Sequence, residues 1–568
     1  MAAAARERVR SKILARAVDA RELASAADAM NLWSMLERAA MLSPHESSLF
    51  EGARSQSYLA TRDRALSLVA FLGECGVSRG DRVAVLAQNG IAYFEIYYAT
   101  AAIGAILVPL NVRLSAREQT ETLDDCGARV LFADVELADT VRAMTAMPPS
   151  SALTLRTGVA TLVWLGEPAV RTLESTRSEI AYEAAIETAS RSVAPTPEHV
   201  PHDHVAQLYY TSGTTGRSKG VMLTHGNVSI HALAAIGELQ LGERDVWAHI
   251  APMFHLADAW ATFAITSVGG KHVFLPRFDA RSALDLIESQ RVTITNLVPT
   301  MLTMMLHDAE ARATTSERGR RARDWSSLRM ILSGGAPIAP DLVRSIIETF
   351  ACEYAQTYGM TETSPFLTLS LLKERLKSLS AEAQLAYRCK TGRPFSTIEL
   401  RVVDESGIDV PADEKTAGEI WVRGPTVTPG YWNRPEETRA AFRDGWLKTG
   451  DLAVIDSEAY VTIVDRKKDM IITGGEKVFS IEVEHALCAH PAVLECAVFG
   501  VPDETWGECV CAAIVVRRGM SVDEAELRAD CRARIAAFKV PAKILFVSEL
   551  PRTGSGKTSK RALRESLA

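Results

Sequence analysis

The segment Tyr210-Thr211-Ser212-Gly213-Thr214-Thr215-Gly216-Arg217-Ser218-Lys219-Gly220 places five Ser/Thr hydroxyls, three glycines and two cations in eleven consecutive residues. The apolar runs at 205–210 and 221–223 on either side of it read as strands. A loop between two such strands offers bare backbone N–H groups, hydroxyl donors and a lysine, all suited to facing a polyphosphate. Glycine belongs where the backbone must approach a ligand closely or take positive φ. A polar hairpin turn is the bland alternative, but turn residues rarely cluster in this order. The segment is not a Walker A loop, because no Gly-x-x-x-x-Gly-Lys-Ser/Thr can be read through it.

Several other segments carry residues fit for nucleotide chemistry. In Gln356-Thr357-Tyr358-Gly359-Met360-Thr361-Glu362-Thr363 an aromatic can stack on a base and Thr361 can hydrogen-bond a phosphate. Glu362 can hold a hard cation, which prefers carboxylate and phosphate oxygens. The competing view is a helix start capped by threonine. Asp451 follows Gly450 in Trp446-Leu447-Lys448-Thr449-Gly450-Asp451, where a carboxylate after a glycine turn suits the two hydroxyls of a ribose. Arg466 is a guanidinium able to reach ribose or phosphate oxygens. Near the C-terminus, Gly556-Lys557-Thr558 imitates a Walker A ending, but Pro551 stands where its first glycine is required.

Taken in order, these segments resemble the signature of the adenylate-forming superfamily, which includes acyl-CoA synthetases, luciferases and the adenylation domains of peptide synthetases. Ser218 stands where many members carry proline. The resemblance implies an α/β fold: a large multi-sheet N-terminal domain that binds AMP and the acyl group, and a small mobile α+β C-terminal domain. It implies phosphate contacts from Thr211, Ser212, Gly213, Thr214, Thr215, Gly216 and Lys219, and a Mg²⁺ held by Thr214 and Glu362. Gly335, Ala336 and Pro337, after the apolar run 330–332, would lie beside the adenine and the acyl group. Tyr358 and Gly359 would meet the adenine, Thr361 the α-phosphate, and Asp451 and Arg466 the nucleotide. Lys557 would contact the carboxylate and α-phosphate during adenylation. Gly474 and Gly475 would line a tunnel for the pantetheine of coenzyme A, and Lys468 would be the hinge. His255 would line the acyl pocket. Gly430-Tyr431-Trp432 resembles a structural motif and is given no catalytic role.

The implied activity is that of an AMP-forming acyl-CoA synthetase, using ATP, Mg²⁺ and coenzyme A as a substrate. The region 251–276 is most similar to ligases of medium- and long-chain fatty acids, with Trp260 and Phe263 as candidate pocket walls. Asp258 is awkward for an alkyl slot, and it keeps aryl acids of the coumarate or succinylbenzoate kind open. An adenylating enzyme that loads a carrier protein in trans is a further alternative.

The elements around these residues follow from pattern. Residues 82–86, 129–133, 293–297 and 328–332 are short apolar runs alternating with helical stretches, which is α/β patterning. The apolar stretch 92–110 contains Glu95, Gly104 and Pro109. It reads as a helix followed by a strand, since a membrane span needs about 20 unbroken apolar residues. Residues 148–152 and the arginine-rich 309–325 read as solvated loops. The charged run Asp465-Arg466-Lys467-Lys468-Asp469 reads as an exposed linker, dividing the chain into 1–464, a hinge at 465–468, and 469–568.

A net charge of −7 argues against a general nucleic-acid binder. Nine cysteines with no Cys-x-x-Cys pair read as reduced structural thiols without a zinc site. The expected location is cytoplasmic, with organellar import through the Ala/Arg-rich residues 1–21 left open. A homodimer is also left open.

Overall fold

The computed structural model describes residues 31–145, 159–167, 178–189, 197, 199–211, 218–315, 323–336, 338–552 and 558–566. The chain divides into two compact units. One comprises residues 1–295, 361–365 and 428–433; the other comprises 296–360, 366–427 and 434–568.

The first unit contains a seven-stranded sheet whose strands run in spatial order Ser178–Ala181, Thr161–Leu165, Ala128–Asp134, Arg82–Leu86, Ile106–Pro109, Val205–Thr211 and Lys219–Thr224. All neighbours are parallel except the last pair, an antiparallel hairpin. Parallel strands covered on both faces read as near-continuous apolar runs, and Arg82–Leu86 is buried at every position after its first. The helix Ile91–Ala102 and the strand Ile106–Pro109 account for the long apolar stretch. That helix is buried nearly all round, and its Glu95 accepts hydrogen bonds from Gln56, Tyr182 and Arg64. A buried carboxylate needs such partners. The unit also holds the parallel strands Ser47–Glu51, Lys271–Phe274 and Val246–His249, the last pairing with Ile294 and Thr295.

In the second unit the strand Met330–Gly334 runs parallel to Glu353–Gly359. A separate antiparallel sheet is built from Glu399–Val403, Gly418–Arg423, Trp446–Ile455 and Val461–Arg466. A further sheet closes the chain: Ile471–Thr473, Glu476–Val478, Val493–Asp503, Gly507–Val516 and Lys543–Phe546. The helices Ser480–Cys488 and Glu524–Arg534 contribute to the apolar core on one of its faces. This is the small α+β domain. Its strand Gly507–Val516 places Cys509 and Cys511 in one apolar cluster, as their alternation implies.

Two expectations need correction. The helix Pro299–Thr315 runs through residues 309–315, which were read as loop; alanine, glutamate and arginine there are good helix formers. Asp465 is not an exposed linker residue. It belongs to the strand Val461–Arg466 and is 1% exposed. Its carboxylate accepts hydrogen bonds from the backbone N–H and hydroxyl of Ser480, at 2.5 and 2.9 Å. Lys560 donates to the same hydroxyl at 2.6 Å. The exposed part of the charged run is Arg466-Lys467-Lys468, turning where Met470 N–H donates to Arg466 O. Residues 1–21 and 148–152 lie outside the described residues.

Candidate active site

The hydroxyl-rich segment sits at the end of the Val205–Thr211 and Lys219–Thr224 hairpin. Thr211 faces Lys219 and Tyr210 faces Gly220 in the register. A Cβ at position 220 would lie 3.0 Å from the Tyr210 ring, so glycine there lets the ring lie flat while its hydroxyl donates to Asp125 at 2.7 Å. Ser212, Gly213, Thr214, Thr215 and Gly216 lie outside the described residues; Thr211 and Lys219, which flank them, are paired.

The outer strand of this hairpin is met by Gly430-Tyr431-Trp432. Met222 N–H donates to Gly430 O and Trp432 N–H donates to Gly220 O, at 3.0 and 2.8 Å. This pairing aims Tyr431 at Glu362. The phenol donates to Glu362 Oε1 at 2.9 Å, and Glu362 is 7% exposed within the turn Thr361–Thr363. Thr428 N–H donates to the Glu362 carbonyl at 2.8 Å. Lys219 Nζ stands 5.2 Å from the centroid of the Tyr431 ring, within cation–π range. Burial, reinforced by the neighbouring Glu362 carboxylate, pushes the Tyr431 phenol up, so it remains a neutral donor. A magnesium ion bound with phosphates takes one or two carboxylates, and the buried Glu362 carboxylate fits that donor set. Sequence reasoning missed Tyr431. Its hydroxyl is a visible signal, but nothing in the spacing names a carboxylate 69 residues away.

The second unit holds the other nucleotide candidates. Gly334, at the end of Met330–Gly334, faces Thr357. A Cβ there would fall 2.2 Å from Thr357 Oγ1 and 2.7 Å from its carbonyl, so only glycine fits. Gly335 has φ +84° with nothing nearer to a built Cβ than Val298 at 3.7 Å, so its demand is conformational. Gln356 Nε2 donates to Ala336 O at 3.2 Å; Pro337 lies outside the described residues. Two residues past Gln356, Tyr358 donates its phenol proton to Asp451 Oδ2 at 2.6 Å. Asp451 and Arg466 face each other on paired strands, and Arg466 Nε reaches Asp451 Oδ1 at 3.2 Å. Burial first, then the Asp451 charge, pushes the Tyr358 phenol up. Gly450 turns the chain into this position with φ +75°, and Thr449 Oγ accepts from Asp451 N–H at 3.1 Å. The structure thus brings Tyr358, Asp451 and Arg466 together, around a carboxylate whose oxygens each carry two lone pairs.

The acyl candidates lie in the first unit. His255 precedes the helix Leu256–Ser267, its ring 4.8 Å from Phe254. Trp260 is 1% exposed. Its indole N–H donates to Ala257 O, and its ring packs against Trp247 and His231 at 5.0 and 5.6 Å. These are the contacts of a core residue. Asp258 is fully buried and points at protein partners. Its Oδ2 lies 2.5 Å from His249 Nδ1, and its Oδ1 accepts from Trp247 Nε1 at 3.2 Å. His249 Nε2 in turn meets His272 Nδ1 at 3.0 Å, and His272 Nε2 meets Thr266 Oγ at 3.1 Å. Asp258 therefore no longer speaks for a polar acyl group.

In the small C-terminal domain, Gly474 and Gly475 are the two central residues of a hairpin joining Ile471–Thr473 to Glu476–Val478, with φ +57° and +85°. Both positive values are what a tight two-residue hairpin requires. A Cβ on Gly474 would meet Trp506 at 2.8 Å, whereas Gly475 opens onto space. Lys468 is exposed in the turn after Arg466. Lys557 lies outside the described residues; Arg552 and Thr558 on either side of the undescribed stretch form an antiparallel bridge.

Residues 36–432 match the AMP-binding enzyme family, and residues 482–557 match the AMP-binding enzyme C-terminal domain. A feruloyl-CoA synthase of an Amycolatopsis species is 37% identical over 531 residues, covering 93% of this chain and 97% of that protein. A long-chain-fatty-acid–CoA ligase of Thermus thermophilus is 38% identical over 546 residues, covering 94% and 95%. Among solved structures, ATP-bound MatB from Rhodopseudomonas palustris superposes with a TM-score of 0.80 at 31% identity, covering 94% of this chain and 98% of that one. With both family segments present in order, the chain belongs to the AMP-binding enzyme family of adenylate-forming enzymes.

Proposed function

We propose that this protein joins a carboxylic acid to coenzyme A at the expense of ATP. The acid's carboxylate attacks the α-phosphorus, pyrophosphate leaves, and an acyl-adenylate forms. The thiol of coenzyme A then attacks the acyl carbon and AMP leaves. The observation that carries this reading is Glu362, a buried carboxylate held by Tyr431 beside the lysine-bearing edge of the hydroxyl-rich hairpin.

Each residue has a stated task in this reading. Thr211, Ser212, Gly213, Thr214, Thr215, Gly216 and Lys219 hold the phosphates, and Thr361 bonds the α-phosphate. Glu362 and Thr214 hold magnesium, which neutralises phosphate charge when bound. Tyr358, Gly359, Gly335, Ala336 and Pro337 shape the adenine site, and Asp451 with Arg466 takes the ribose. Lys557 meets the reacting carboxylate, and Gly474-Gly475 admits the pantetheine. Positioning and charge stabilisation then supply the catalysis, with no protein nucleophile. We place the hinge in the turn after Arg466, at Lys468, and assign residues from 469 onward to the mobile domain.

For the acyl group we propose a medium- or long-chain fatty acid, with His255 at the pocket entrance and Trp260 in the wall behind it. The Thermus ligase supports this reading. An aryl acid is the second reading, supported by the feruloyl-CoA synthase at nearly equal identity. The test is AMP formation with octanoate, laurate, palmitate, ferulate, cinnamate and succinylbenzoate, with and without coenzyme A. For an alkyl slot kcat/KM climbs with chain length, each methylene contributing at most about 0.8 kcal/mol. Preference for ferulate over laurate replaces the first reading with the second. AMP release without thioester formation in the presence of coenzyme A would mean that the acceptor thiol is a carrier protein's. Among the described residues no helix is long and apolar enough to cross a membrane. The nine cysteines are all free, which supports a cytoplasmic enzyme; sedimentation distinguishes monomer from homodimer.

A further inference from the structure

The helix Ser480–Cys488 ends beside the strand Val493–Asp503, and each contributes a cysteine at the point of contact. Cys488 Sγ and Cys496 Sγ are 3.4 Å apart. Cys488 is exposed, whereas Cys496 is half-buried and packed against the apolar core of this sheet. Cys496 Sγ also lies 3.5 Å from the carbonyl of Glu484, one helical turn before Cys488. The other seven cysteines differ in setting. Burial pushes Cys126 and Cys352 up to about 12, and Cys389, Cys511 and Cys531 up to about 11. The hydrogen bond from Cys496 instead holds the Cys488 thiol below its ordinary value, while the same contact and burial hold Cys496 well above. An exposed thiol held below its ordinary pKa beside a second thiol 3.4 Å away is a setting in which oxidation is site-selective.

We propose that Cys488 and Cys496 are a redox-active dithiol, with Cys488 attacking the oxidant and Cys496 resolving the product as an intrachain disulfide. With hydrogen peroxide as oxidant, the Cys488 thiolate attacks one peroxide oxygen. The O–O bond breaks, hydroxide leaves and takes up a proton, and Cys488 becomes a sulfenic acid. Cys496 sulfur then attacks Cys488 sulfur, the S–O bond breaks, and hydroxide leaves as water with the Cys496 proton. Two thiols lose two electrons, and one peroxide becomes two waters. The sulfurs need only close from 3.4 Å to about 2.05 Å. The helix Ser480–Cys488 that carries Cys488 is tied to the terminal helix Lys560–Glu565, since Glu484 pairs with Lys560 at 2.8 Å and accepts from Val498 N–H at 2.9 Å. The disulfide is therefore set into the element that anchors the C-terminal motif. A dithiol reductant reverses it by exchange.

The experiment treats the full-length chain with a small excess of hydrogen peroxide and reads intact mass and non-reduced peptide maps. The expected product is lighter by about 2 Da, carries a Cys488–Cys496 cross-link, and returns to the starting mass with dithiothreitol. Cys496→Ser traps a sulfenic acid on Cys488, captured by dimedone, whereas Cys488→Ser leaves Cys496 reduced. If either variant fails to fold, the order of alkylation by iodoacetamide in the unmodified chain serves instead, with Cys488 first. A cross-link between other cysteines, a Cys488 that goes to sulfinic acid without a disulfide, or slower alkylation of Cys488 than of Cys496 overturns the proposal. None of these readouts depends on which acid the enzyme activates.

Discussion

Glu362 in the first unit and Asp451 in the second are two buried carboxylates that solve one problem differently. Each accepts a tyrosine phenol, at 2.9 and 2.6 Å, and burial, reinforced by the carboxylate, pushes each phenol up. The cations differ. Arg466 reaches Asp451 directly, whereas Lys219 stands over the ring of the tyrosine that serves Glu362. The order along the chain differs as well: Tyr358 precedes its carboxylate by 93 residues, and Tyr431 follows its own by 69. A direct guanidinium fixes a carboxylate for neutral hydroxyl donors such as a ribose. A phenol backed by a lysine orients a carboxylate toward a metal and phosphates. In the proposed reaction the same acid–phenol unit takes the ribose at Asp451 and magnesium at Glu362.

The largest expected effect comes from the lysine proposed to meet the reacting carboxylate. Lys557→Ala should slow acyl-adenylate formation about a thousandfold, yet still convert supplied acyl-adenylate and coenzyme A to thioester. Equal loss of both steps would make the lysine a folding residue. Next, Glu362→Gln should lower the adenylation rate at saturating ATP by on the order of a hundredfold, and Asp451→Ala should raise the KM for ATP about ten- to a hundredfold while sparing that for the acid. Steady-state and single-turnover kinetics separate the two, and a pure KM effect from Glu362→Gln breaks the contrast. The tyrosines sharpen it at about tenfold each: Tyr431→Phe in the adenylation rate, Tyr358→Phe in the KM for ATP. Exchanged phenotypes would assign the carboxylates the other way round.

The smallest effect concerns stability in acid. In the first unit burial holds His225 and His231 down at about 3 and holds His272 well below its ordinary value. These rings are kept neutral when folded, so their contribution is full above about 6.5 and is lost as pH falls through that value toward 3. Asp134, pushed up to about 6 by burial, and Asp124, also raised by burial, work in the opposite sense, whereas Glu183, lowered by its hydrogen bond from Arg64, adds to the loss in acid. Amide exchange should therefore show the helix His225–Leu239 losing protection between pH 6.5 and 5 before the strand Gly507–Val516 does. Equal loss in both would remove the histidines as the cause.

Much of this arrangement was legible because local pattern and tertiary role agree. Arg82–Leu86 and the helix–strand pair at Ile91–Ala102 and Ile106–Pro109 are buried on all sides, so composition alone marks them. Glu362 and Asp451 stand in motifs whose residue types suggest the roles proposed for them, and the structure buries both carboxylates. Tyr431 was not legible, because strand pairing brings it to Glu362 across the chain. Residues 309–315 misled because arginine signals exposure, not loop, and the helix simply continues. Asp465 misled in the reverse way: a charge in a charged run is buried when a helix start and a serine hydroxyl receive it. Cys488 and Cys496, eight residues apart, match no metal or redox spacing and meet only through a helix-to-strand return.

Asp465 has a mechanical consequence. Its backbone pairs with Leu452 in one sheet, while its carboxylate is held by Ser480 at the head of the next domain's first helix. It is a rivet through two plates. A rotation about the turn that follows Arg466 must either draw out that carboxylate and hand its hydrogen bonds to water or peel the end of the strand from its neighbour. The joint is therefore stiffened by an aspartate and the serine that holds it, together with the ion pairs that Arg466 and Lys467 make to Asp451 and Glu419.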